Sequence, residues 1–347
     1  MSTNRKTFSV CIPAYNRSRY LRQLLDSILL QEFKDFEIVI CEDESPERRQ
    51  IAAIVLEYEA QYPGFIRYYE NETNLGYDAN IRCLIEKSTA RYCFFMGNDD
   101  LMAEGALSHL NAVIKRHPRV GVVLRGYRVF DGNPHNITHE LRYYSEEREF
   151  NPGKESIVLC YRRSGVISGY IVHRDDAFAC ATDQFDGTLY YQMHVTASVL
   201  SSRTSVCTPE ILVLCRANEP PDFGNSKKEK GIYTPGRYTI QARLNMVRGA
   251  LSILADREDA RTNGILEAVK HDYANYFYPF VLDQLTLPVR EYIKLYRGYW
   301  KMGFGKYFLF HVYSVGCYIL GSRRFDGLTR IVRKYLGRNV QFATVPR

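Results

Sequence analysis

The chain contains no run of about 18 apolar residues, so no bilayer-crossing helix is expected. Its nine cysteines are an odd number and include no C-x-x-C pair. Cys11, Cys41 and Cys93 fall inside apolar, strand-like runs, where a thiol serves as a small hydrophobe, and the compartment is read as reducing cytosol. No G-x-G-x-x-G follows the first apolar run and no G-x-x-x-x-G-K-[ST] occurs, which argues against nicotinamide and P-loop chemistry. The polar start MSTNRKTF has no apolar segment of the kind that drives secretion, so secretion is not expected. Internal repeats and low-complexity segments are also missing.

What remains is an ordinary globular composition, 46% hydrophobic and 24% charged over 347 residues. That length buries one large domain with an appendage. The net charge of +7 is uneven, since residues 289–347 hold 12 Lys and Arg against Glu291 and Asp326. Such a tail implies an anionic partner, either a membrane surface or a polyanion.

Residues 7–125 alternate between two periodicities. Strands are predicted at Phe8–Ile12, Glu37–Cys41, Ile66–Tyr69, Tyr92–Met96 and Val120–Leu124, and helices at Ser18–Gln31, Glu47–Tyr62, Gly76–Thr89 and Ala103–His117. This alternation implies an α/β fold, a mostly parallel sheet with helices on both faces. Ligands bind such sheets beyond the carboxyl ends of the strands. Those ends read PAYNRS (13–18), EDESPE (42–47), ENETNLG (70–76) and GNDD (97–100), all polar and three of them carboxylate-bearing. The run CFFMGNDDLM (93–102) sets Asp99 beside Asp100, and two adjacent like charges need a cation or hydrogen-bond donors to persist. Beyond 125 the pattern loosens. GVISGYIVHR (165–174) reads as a strand pair or a strand with a glycine bend, and NEPPDFGNSKKEKG (218–231) as a mobile loop. From 236 onward the pattern is helical and rich in aromatic residues.

Taken in order, FSVCIPAYNRSRYLRQLLDSILLQEFKDFEIVICEDES, NLGYDANIR and ARYCFFMGNDDLM resemble the family 2 glycosyltransferases, whose fold is GT-A. The resemblance is strong over 7–125 and fades afterwards. It implies a GT-A domain over 1–235, with a donor half at 7–125 and an acceptor half at 126–235, followed by a helical C-terminal region at 236–347. The implied activity is transfer of a sugar from a nucleotide-diphosphate donor to a hydroxyl of a glycan or lipid-linked oligosaccharide, with inversion. A UDP-sugar is the first donor choice, with CDP- and dTDP-sugars as alternatives.

The resemblance also implies site roles. Asp100 and Asp99 stand where the family holds Mn2+ or Mg2+, with Asp99 near the ribose or a metal-bound water; a hard cation with oxygen ligands suits a diphosphate leaving group. Pro13, Ala14 and Tyr15 would line the nucleotide pocket, and Arg17 or Arg19 would reach phosphate. Asp43 would accept from the base, although Glu42 and Glu44 depart from the usual Asp-Asp-Gly-Ser. Asn74 and Gly76 would form a turn, Asp78 would contact nucleotide or sugar, and Arg82 is a further diphosphate candidate. The Glu-Asp pair that many relatives use as base is missing, leaving Asp186 as first choice and then Asp183 and His194. Each of these three also fits a helix cap or a core position. The apolar run Phe308–Leu320 inside 299–325 is too short to span a bilayer. With basic residues flanking both ends it is read first as lying at a membrane interface, with a buried helix or a dimer contact as the alternative. No nucleic-acid partner is expected, and a homodimer is an open alternative. The rival to an enzyme is a non-catalytic carbohydrate- or nucleotide-binding protein on the same fold.

Overall fold

The computed structural model describes residues 5–255, 257, 263–325 and 327, together with the backbone of 341–344. The donor half builds β1 (Phe8–Ala14), α1 (Ser18–Leu29), β2 (Phe36–Glu42), α2 (Arg48–Gln61), β3 (Ile66–Glu70), α3 (Tyr77–Lys87) and β4 (Tyr92–Phe95). A two-residue strand β5 (Leu101–Met102), α4 (Ala106–Arg116) and β6 (Val120–Phe130) complete it. The predicted helix at Ala103–His117 therefore starts late. Gly105 sits in the left-handed region at φ 70°, so the helix begins just after it. Ahead of that glycine, Leu101 and Met102 pair antiparallel with Leu214 and Val213.

The acceptor half adds β7 (Ile137–Arg142), β8 (Arg148–Phe150), α5 (Lys154–Tyr161), β9 (Tyr170–His173), α6 (Arg174–Ala179), α7 (Tyr191–Val199) and β10 (Thr204–Arg216). The remaining elements are α8 (Ile240–Ala255), α9 (Ile265–Asn275), α10 (Val289–Lys301), a helical run over 308–320 and β11 (Gln341–Thr344). The main sheet order is β11-β7-β6-β9-β4-β1-β2-β3. β4, β1, β2 and β3 are mutually parallel, as the βα alternation requires. β9 from the 165–174 stretch inserts between β4 and β6, antiparallel to both, so the fifth predicted strand is not a neighbour of the fourth.

Alternation along β1 and β2 sends Val10, Ile12, Ile38 and Ile40 to one face, packed under α1, α2 and α4. Cys11, Val39, Cys41 and Cys93 face the other side, where these thiols are buried within the core as the sequence implied. That second core continues without a break through α7 into the C-terminal helices, with Tyr191 and Met193 in the same cluster as Met246, Val247 and Tyr299. Position 235 thus divides the sequence pattern, while the apolar core runs across it. The tail contributes Phe304, Phe310 and Tyr313 inward, and Phe277 packs edge-on against Tyr299, Phe304 and Phe310.

Candidate active site

The carboxyl ends of β1, β2 and β4 open on one cleft of about 320 Å³, which brings together Pro13, Tyr15, Arg17, Asp43, Asp99 and Asp100. Asn74 and Gly76 line it as well, whereas Ala14 is buried beneath and accepts the Asp43 N–H at 3.0 Å. At the end of β2 the two acids divide their tasks. Glu42 is buried and accepts from Glu44 N at 3.1 Å, Ser45 N at 2.7 Å and Arg48 Nε at 2.5 Å, so it folds the loop. Asp43 accepts from Asn71 Nδ2 and Leu75 N, both at 2.8 Å, and from Gly76 N at 2.9 Å. A carboxylate has about four acceptor sites, so one remains toward the cleft. Burial raises the Asp43 pKa against the opposing effect of those donors.

The adjacent aspartates are held from three directions. Arg17, itself left-handed at φ 61°, donates to Asp99 Oδ2 at 2.7 Å and to the Pro220 carbonyl at 2.7 Å. The Ser168 hydroxyl accepts from Gly97 N at 2.8 Å and donates to Asp100 Oδ2. Arg216, at the end of β10, donates its N–H to Asp100 Oδ1 at 2.7 Å and its Nε–H to the Asp99 carbonyl at 3.0 Å. Burial and then the neighbouring Asp99 push Asp100 up to about 7, and burial also raises Asp99 despite Arg17. A Cβ on Gly97 would lie 2.9 Å from Ser168 Oγ and 3.2 Å from a carboxylate oxygen of each aspartate, so glycine keeps this cradle open. Two clustered carboxylates with hard oxygens fit Mg2+ or Mn2+, which take few protein ligands and leave the rest to phosphate and water. Among the described residues no group of three or more His, Cys, Asp or Glu side chains placed to hold a metal ion occurs.

The 218–231 stretch, expected as a mobile loop, is strapped across the cleft. Glu219 accepts from Tyr20 Oη at 2.5 Å and Arg19 Nη2 at 3.0 Å, and Asp222 accepts from Asn16 Nδ2 at 2.8 Å. Glu229 is buried and accepts from Tyr77 N at 2.8 Å and Gly224 N at 2.9 Å, while Phe223 packs edge-on against Tyr77 at 5.4 Å. Composition alone read this segment as loose because its anchors are side chains separated by about 150 to 200 residues. Arg19, proposed for phosphate, is thereby committed to Glu219 at the surface.

Five predicted site residues, Asp78, Arg82, Asp183, Asp186 and His194, lie away from this cleft. Asp78 is buried and accepts from Gly187 N (2.8 Å), Leu189 N (2.9 Å) and Tyr191 N (2.8 Å), capping the start of α7 instead of facing the nucleotide edge. Asp186 is locked in a two-pronged pair with Arg82 at 2.6 and 3.0 Å, which also removes Arg82 from any diphosphate. Asp183 is exposed on the same loop. His194 is a core residue whose Nε2 donates to the Cys180 carbonyl at 2.8 Å and whose Nδ1 faces Arg257 Nη2 at 3.0 Å. Burial lowers its pKa to about 4, so it is a neutral structural imidazole. Conversely, Ser168, Arg216, Asp222 and Glu229 line the cleft and carried no linear signal beyond their residue type.

A mixed α/β sheet whose parallel strands end on a paired-aspartate cleft defines the GT-A class of fold. Residues 9–179 match the model of glycosyl transferase family 2, and the chain carries a family 2 glycosyltransferase domain. Abequosyltransferase RfbV of Salmonella typhimurium is 28% identical over 223 residues, covering 60% of this chain and 66% of that protein. Across the first curated relatives the matched segment spans 26%, 66% and 44% of their own lengths. The crystal structure of S. aureus TarS 1-349 with UDP-GlcNAc superposes with a TM-score of 0.59 at 17% identity, covering 84% of this chain and 79% of that one. The mannosyltransferase PcManGT of Pyrobaculum calidifontis, with GDP-Man and Mn2+, gives 0.53 at 14% identity, covering 97% and 89%.

Proposed function

We propose that the chain transfers a sugar from a nucleotide-diphosphate sugar to a hydroxyl of a glycan or lipid-linked oligosaccharide. The observation that carries this reading is the convergence of Asp43, Asp99 and Asp100 from two strand ends on one cleft. Solved neighbours bind UDP-GlcNAc or GDP-Man, which supports a nucleotide-sugar donor. The remaining acceptor site of Asp43 suits a base N–H, and a UDP-sugar remains the first choice. Asp100 and Asp99 would hold Mg2+ or Mn2+, which supplies neutralisation of the diphosphate charge. Arg17 leaves Asp99 for a phosphate oxygen when the donor enters, keeping the local charge balanced.

Of the cleft carboxylates, Asp43 is held by Asn71, Leu75 and Gly76 with one acceptor site kept for the base, Glu229 by backbone donors, Asp99 by Arg17, Asp100 by Ser168 and Arg216, and Glu219 by Tyr20 and Arg19. Among the described residues Asp222 accepts only from Asn16 Nδ2, and it is the group we assign to the acceptor proton. The acceptor oxygen then bonds to the anomeric carbon as the bond to the diphosphate oxygen breaks. The proton passes to Asp222, the electron pair leaves with the nucleoside diphosphate, and single displacement inverts the centre. A second reading, a binding protein without turnover, draws support from the 183–194 region, which sends no acid into the cleft. Donor consumption with Mn2+ separates the two. Wild type turns over, Asp100→Ala and Asp222→Asn fall at least a hundredfold, and only Asp222→Asn retains donor binding. Full turnover in both variants would remove the assigned roles, and no consumption of any donor by wild type would favour the binding protein.

A further inference from the structure

We propose that the outward face of α10 and the 308–320 run docks on an anionic lipid bilayer. This goes beyond the sugar-transfer reading and stands without it. At 3.6 residues per turn, Val289, Ile293 and Trp300 fall within an arc of about 40° on α10. Arg290, Lys294, Arg297 and Lys301 occupy the adjoining arc of about 60°, and Tyr292, Leu295 and Tyr299 are buried opposite. The exposed half of this helix is therefore itself split into an apolar edge and a basic edge.

The 308–320 run lies along the apolar edge, because Tyr296 Oη meets His311 Nδ1 at 2.9 Å and the Trp300 ring lies 5.3 Å from His311. It turns Phe310, Tyr313 and Cys317 into the core and leaves Phe308 and Ile319 outside, 78% and 73% exposed. Trp300 is 51% exposed. Large apolar side chains in continuous exposure mark an interaction surface. The charge decides the partner: residues 289–325 carry seven Lys and Arg against Glu291 alone. Among the described residues, Arg290, Arg297 and Lys301 have no ion-pair partner, while Lys294 pairs with Glu291 at 2.6 Å. A second copy seated by two-fold symmetry would set this basic edge against itself or bury it against the apolar edge, whereas anionic headgroups neutralise it and receive the apolar edge. No described helix is long and apolar enough to cross a membrane, so the face would rest on the bilayer. Tyr and Trp at such a face favour the water–lipid boundary.

Trp300 is the only tryptophan, so its emission reports the event directly. With the full chain and vesicles of phosphatidylcholine plus phosphatidylglycerol, emission should shift to shorter wavelength and be quenched by bromine-labelled lipid; pure phosphatidylcholine should give neither. Each surface charge is worth about fivefold in partitioning, so R290Q/R297Q/K301Q should bind roughly a hundredfold more weakly. F308S/I319S should lose the emission shift while its far-ultraviolet dichroism and urea midpoint stay at wild-type values, since both side chains are exposed. No shift on anionic vesicles, or equal binding to neutral ones, overturns the proposal. So does a wild-type dimer that F308S/I319S dissociates while vesicles leave emission unchanged.

Discussion

Replacing Asp78 separates a structural role from a nucleotide contact. Among the described residues its carboxylate is the only acceptor for the N–H groups of Gly187, Leu189 and Tyr191, in a loop with Gly187 at φ 90° and Leu189 at φ 62°. A non-glycine residue there is strained and persists only while its surroundings hold it. Asp78→Ala strands two buried donors and a half-buried one at about 1–3 kcal/mol each, and partial water entry brings the total to about 3–6 kcal/mol. That is a large share of the roughly 5–15 kcal/mol that stabilises a typical protein. Asp78→Asn keeps one oxygen for Gly187 and Leu189 but turns an amide N–H2 toward Tyr191 N, and should cost about 2–3 kcal/mol. The consequence reaches the cleft, because Tyr233 Oη at the end of the strap donates to the Gly187 carbonyl at 2.9 Å. Urea titration followed by Trp300 and tyrosine fluorescence should show a lower midpoint at unchanged slope for both variants, with Ala worse than Asn. An Asp78→Asn protein with the wild-type midpoint and a raised donor KM would refute the capping role and return the carboxylate to the nucleotide.

His194 makes stability acid-sensitive. Its folded pKa lies near 4 against 6.5 unperturbed, so the folded state binds fewer protons, and its contribution is complete above 6.5 and lost as pH falls toward 4. The loss is about 3 kcal/mol, and His194→Gln should change the difference between urea midpoints at pH 7 and pH 4 in the direction of less acid sensitivity; an unchanged difference would disprove it. Gly76→Ala tests the strap. At φ 88° the new Cβ would lie 2.5 Å from Ser226 Oγ, adding to backbone strain of about 1–3 kcal/mol. Trypsin should then cut after the exposed Lys227 and Lys228 faster than in wild type, and equal rates would mean the strap does not rest on this turn.

The donor half was legible because its signals are local. Strands β1 to β4 alternate with helices at short spacing, and the loop at each strand's carboxyl end inherits its position from the strand before it. Asp43, Asp99 and Asp100 could thus be assigned to one edge from their place after β2 and β4. Helix start positions were less legible, as Gly105 illustrates, because a left-handed turn and a two-residue strand leave little periodic signal. Asp186 and His194 were misassigned for a different reason. Their residue types suit proton transfer, but Arg82 and the Cys180 carbonyl, which engage them, are supplied from other segments.

By itself, then, the sequence determined the alternating architecture, the nucleotide edge and the paired acids, since each follows from periodicity over a few residues. Only the tertiary structure decided that β9 separates β4 from β6, that Asp78 caps a distant helix, and that Arg216, Asp222 and Glu229 reach the cleft. Those outcomes depend on contacts between residues about 100 or more positions apart. Which carboxylate stays open to a ligand is settled by which buried donors happen to reach it first.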